Sequence, residues 1–71
     1  MEDAWVIFKE DKVIGLAENK DSALFVLDKL ILKNEPQFQD ILYNSYVMSG
    51  HISSDEFGAG SYFAKYTEYI D

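Results

Sequence analysis

Seventy-one residues with a net charge of −7 at neutral pH allow one small domain. Thirteen carboxylates against six scattered lysines argue against direct nucleic-acid binding through a basic face, and the length argues against an elaborate enzyme. A hydrophobic fraction of 48% with 15% aromatic residues argues against disorder, and no cysteine is present to staple the fold.

Ala4-Trp5-Val6-Ile7-Phe8 is rich in β-branched and aromatic residues and reads as a strand. The polar Lys9-Glu10-Asp11-Lys12 is turn-like and Val13-Ile14-Gly15-Leu16-Ala17 is a second strand, which predicts a β-hairpin with a four-residue charged connection. Asn19 or Asp21 then caps a helix in which Ala23, Leu24, Val26, Leu27, Leu30 and Ile31 recur at the 3.6 period. Glu18 and Asp21 sit at its positive end, Lys29 and Lys33 at its negative end, and the spacing predicts a helix over residues 20–33. Leu27 and Leu30 are expected to pack on the sheet.

Asn34-Glu35-Pro36 breaks the pattern and restarts it, because proline suits the first turn of a helix. Phe38, Ile41, Leu42, Ser45 and Tyr46 then share one face of a second helix that ends near Gly50. Residues 50–60 carry loop chemistry in Ser53-Ser54-Asp55-Glu56 and Gly58-Ala59-Gly60, with a short extra strand over 47–52 as an alternative. Residues 61–70 alternate as a strand, Tyr62, Ala64, Tyr66 and Glu68 pointing one way and Phe63, Lys65, Thr67 and Tyr69 the other. The order is ββααβ. It predicts a single α+β domain over residues 1–71: a small antiparallel sheet, hairpin plus C-terminal strand, with two helices on one face.

No catalytic or metal constellation stands out. His51, with Asp55 and Glu56, offers one nitrogen and two loop carboxylates, a poor cage for a metal, and nothing fixes Ser49, Ser53 or Ser54 against it as nucleophiles. Gly58-Ala59-Gly60-Ser61 precedes a strand and is flanked by acids, so it reads as a turn and not as a phosphate cradle. No cofactor is implied. Tyr43, Tyr46, Tyr62, Tyr66 and Tyr69 all fall in the second half of the chain. They either cover the sheet and helix edges with hydroxyls in water or form a contact surface; a self-associating edge strand over 61–70 would use the same rings. Glu2 and Asp3 before the first strand, with Glu68 and Asp71 after the last, converge if those strands pair antiparallel. They then either serve solubility or present an anionic face to a basic partner, with mimicry of DNA as an extension of that idea. Met1-Glu2-Asp3 lacks a basic leader and no long apolar run follows, so a soluble, cytoplasmic protein is expected.

Trp5-Val6-Ile7-Phe8, the charged turn Lys9 to Lys12, Val13-Ile14-Gly15 and the helix opening near Asn19 resemble the start of short reading frames from large DNA phages. The likeness covers less than half of the chain and transfers no functional residue. It implies a setting: small acidic phage proteins that act early or against host defence, inhibiting restriction-type systems, repair enzymes or transcription factors. The expectation is thus a non-enzymatic, phage-encoded inhibitor of a host DNA-acting or defence protein with a basic surface. Tyr62, Tyr66 and Tyr69 would anchor it, and Glu2, Asp3, Glu68 and Asp71 would steer it. The alternatives are a homo-oligomeric accessory module, such as a homodimer, and a nucleotide sponge with its site at a subunit interface.

Overall fold

The computed structural model describes the backbone of residues 2–69 and the side chains of residues 4–67. Strand β1 (Glu2–Lys9) pairs antiparallel with strand β4 (Tyr62–Tyr69) along its whole length, so the two ends of the described chain form the middle of the sheet. Strand β2 (Lys12–Ala17) flanks β1 and strand β3 (Glu56–Ala59) flanks β4, giving the order β2-β1-β4-β3. Helix α1 (Lys20–Asn34), a 3-10 turn over Pro36–Phe38 and helix α2 (Gln39–His51) connect β2 to β3. The α+β class and the antiparallel sheet with two helices are as the patterning predicts, with one strand added.

The hairpin is tighter than its charge pattern suggests. Lys9 pairs with Lys12, leaving only Glu10 and Asp11 in the turn, and Glu10 adopts the left-handed conformation at φ 57°. A bulge between Ile7 and Phe8 leaves Ile14 without a cross-strand partner. Asn19, not Asp21, caps α1: its side-chain oxygen accepts from the Ser22 N–H at 2.8 Å, while Asp21 lies in the first turn. Ala23, Leu27 and Ile31 form the buried line of α1, with Leu24, Val26 and Leu30 packed beside it.

On α2 the enclosed positions are Leu42 and Ser49, with Ser45 and Tyr46 half-buried beside them. Each helical residue turns about 100°, so centring the face on Leu42 rotates Ile41 outward, where it is 51% exposed. Ile41 therefore departs from the expected inward face. Helix α2 continues through His51, which excludes a strand over 47–52; the extra strand is β3, inside the segment whose composition suggests a loop. Only Phe57 and Ala59 point inward from β3, too few for alternation to show. Gly58 lies where a Cβ would collide with the Tyr62 carbonyl oxygen and the Phe63 backbone, so only glycine lets β3 approach β4.

The core lies between the helices and one face of the sheet. Trp5, Ile7, Phe57, Tyr62 and Ala64 meet Leu27, Ile31 and Leu42 there. Trp5 lies 5.6 Å from Phe57, and Phe57 meets the Tyr46 ring edge-on at 5.3 Å. No described helix is long and apolar enough to cross a membrane.

Candidate protein-binding surfaces

The register between β1 and β4 sets the charge geometry. Glu2 stands opposite Tyr69 and Asp3 opposite Glu68, so the expected convergence of acids holds for the backbone positions of Glu2, Asp3 and Glu68. Asp71 lies outside the described residues. The topology adds acids that linear order leaves apart. Strand β2 ends at this same end, with Ala17 opposite Trp5, so Glu18 follows there and Asp21 enters with the first turn of α1. The Tyr66 N–H donates to the Asp55 carbonyl at 2.7 Å, which brings Asp55 to the same end from the β3 side. Among the described residues the nearby cations include Lys65, next to Tyr66 and 3.7 Å from Glu56, and Lys20. The Lys20 Nζ lies 3.4 Å from the Tyr46 carbonyl oxygen and 4.6 Å from the Tyr46 ring centroid, so its charge is directed at α2.

The tyrosines do not form one surface. Tyr62 is 4% exposed, with Lys9 Nζ 5.9 Å from its ring centroid, because β4 alternates Tyr62, Ala64 and Tyr66 toward the helices. The ring belongs to the core of this chain, which leaves little of it for the partner anchor expected of Tyr62. Tyr66 is 36% exposed and meets Trp5 edge-on at 5.8 Å, beside the acidic end. The side chain of Tyr69 lies outside the described residues. Tyr46 donates its phenol proton to Asp21; that bond, then burial and the Asp21 charge, hold its pKa above the ordinary value. Tyr43 is also raised, by desolvation and then by Asp28. Strand β4 is paired on both sides, so it offers no edge for self-association.

The face of the sheet turned away from the helices was not foreseen. In register, Val6 lies between Leu16 and Lys65, and Phe8 lies between Val13 and Phe63. The Phe8 and Phe63 rings stack at 4.9 Å and 7°, and Val13 and Leu16 are 60% and 59% exposed. A signal for this surface was present in the unbroken apolar run of β1: a strand with one wet face alternates apolar and polar residues, whereas Trp5-Val6-Ile7-Phe8 is apolar on both.

The remaining features carry less chemistry. His51 is the exposed last residue of α2 rather than part of a loop. Gly60 and Ser61 form the turn between β3 and β4, while Gly58 and Ala59 belong to β3. Among the described residues no three His, Asp or Glu side chains gather in a way that could hold a metal ion. A shallow open groove of about 530 Å³ runs along β3, but its polar lining is already engaged. Ser45 Oγ accepts from the Gly58 N–H at 3.1 Å, and Lys65 lies 3.7 Å from Glu56. No protein family, curated protein or solved structure matches this chain.

Proposed function

We propose that this protein is a non-enzymatic binding protein whose acidic sheet end engages a basic, nucleic-acid-binding surface on another protein. In the setting suggested by the phage-like start of the chain, it inhibits a host DNA-acting or defence protein in the host cytoplasm. The observation that carries this reading is the placement of Asp3 directly opposite Glu68. Like charges at facing positions cost stability, and a lysine at either position would relieve that cost. A local conflict of this kind is expected where a surface serves a partner rather than the fold. Glu18, Asp21 and Asp55 at the same end extend the negative field, which steers a cationic surface toward it. Tyr66, next to this end, supplies an aromatic contact.

The test reverses Glu2, Asp3, Glu68 and Asp71 to lysine. Each reversal adds two positive charges, taking the net charge from −7 to +1. A basic partner captured from host lysate with the natural chain is then offered to both forms across a range of salt. The reading expects association with the reversed form to be slower by about tenfold or more, with a flattened salt dependence. Equal association rates for the two forms would refute it.

A further inference from the structure

We infer that the open face of the sheet is covered in solution by a second copy of this chain, the two sheets stacking face to face. Strand β1 places Trp5 and Ile7 in the core and Val6 and Phe8 on the opposite side, the pattern of a strand buried on both faces. The helices cover only one of them. On the other, Val6, Phe8, Val13, Leu16 and Phe63 form a continuous apolar patch around the stacked Phe8 and Phe63 rings.

Charge selects the occupant. The chain as a whole is strongly acidic, yet the described charges bordering the apolar patch are Lys65 and Glu56, which stand opposite one another 3.7 Å apart and cancel. Glu2 shares this side by register but stands four residues from Val6, at the acidic end. A basic partner finds no net negative charge there, and an acidic one no unpaired cation. A neutral apolar patch is complementary to itself, and a two-fold axis in the plane of contact gives both copies the same interface. Three strands of about five residues and the four-residue β3, about 4.8 Å apart with residues rising about 3.3 Å each, present roughly 300 Å² in projection. With side-chain relief, two copies bury on the order of 1,000 Å² in total, the lower limit of a specific interface. Edge-to-edge pairing through β2 is the less suitable geometry, because the bulge at Ile14 interrupts that edge.

Sedimentation velocity of the full chain from micromolar to millimolar concentration, at low and high salt, tests the inference. A reversible dimer is expected, and salt should strengthen it by screening repulsion between two acidic copies. Leu16→Lys and Val13→Lys, each at an exposed position and checked for folding by circular dichroism, should each weaken the dimer by about tenfold or more, because each buries an unpaired charge. Met48→Lys on the exposed side of α2 should leave it unchanged, and reversal of the acidic sheet end, which removes the repulsion between copies, should not weaken it. A natural chain that stays monomeric throughout, a folded Leu16→Lys or Val13→Lys that dimerises normally, or a dimer lost with Met48→Lys would overturn the inference. The measurement uses this chain alone, so its failure leaves the binding of a basic partner standing, and the reverse also holds.

Discussion

Glu35 grips Ser61 with both carboxylate oxygens: Oε1 accepts from the backbone N–H at 2.9 Å and Oε2 from the hydroxyl at 3.1 Å. The break between the helices is thereby tied to the β3–β4 turn. The Ser61 carbonyl in turn accepts from the Glu10 N–H at 2.7 Å, so both hairpin turns and the helix break meet at the end of the sheet opposite the acids. Hydrogen bonds to a charged group contribute more than neutral ones, and Glu35→Ala should cost about 1–3 kcal/mol. Thermal melting should fall by about 4–8 °C per kcal/mol in a domain of this size. Glu35→Gln, which keeps one acceptor, should lose less. An alanine variant that melts with the natural chain would remove this tie from the account.

Gly60 is coupled to the same carboxylate. Its φ is +60°, and a Cβ there would collide with Glu35 Oε1 and lie 2.8 Å from Phe38 Cδ2. Gly60→Ala should therefore cost more than about 1 kcal/mol, combining left-handed strain with the collision. In a Glu35→Ala background one of the colliding groups is gone, so the two losses should add to less than their sum. Denaturant unfolding of the two single variants and the double variant measures the coupling; strict additivity would contradict the geometry.

Leu27 is fully enclosed at the centre of the buried line of α1, between the helices and the sheet. Leu27→Ala should destabilise by about 2–5 kcal/mol through lost transfer energy and the cavity left behind. For a domain of marginal stability that is enough to unfold much of the population at body temperature. A melting curve shifted by only a few degrees would show that Leu27 is less critical than its burial requires.

The α1 line was legible because a 15-residue helix repeats its apolar period several times and announces its start through Asn19. Helix α2 was legible in extent but not in rotation, since Leu42, Ser45, Tyr46 and Ser49 mix apolar and polar side chains on the inward face. Strand β3 was hidden because four residues with one glycine show no period; its partners come from β4 and from Ser45 on α2. The gathering of Glu18, Asp21 and Asp55 with Asp3 and Glu68 could not be seen either, for it depends on where β2, α1 and β3 begin and end in the sheet. The enclosure of Tyr62 was not legible, because alternation fixes two faces but not which one the helices cover.

The Tyr46–Asp21 bond joins α2 to the first turn of α1, and its effect on stability should depend on pH. The phenol donates to the Asp21 carboxylate, and this, with burial and the negative charge, raises the Tyr46 pKa in the folded chain. Between the ordinary tyrosine value of about 10 and that raised value, the unfolded chain has released a proton that the folded chain still holds. The stability from this bond is thus fully present below the ordinary value and declines as pH rises through the raised one. Tyr46→Phe removes the donor and with it this dependence, while the lysines and the other tyrosines titrate in both forms. Urea unfolding of both chains over a series of alkaline pH values should show the natural chain more stable near neutrality and the difference shrinking above about pH 10. A difference that stays constant or widens with pH would mean that Asp21 does not hold the Tyr46 proton.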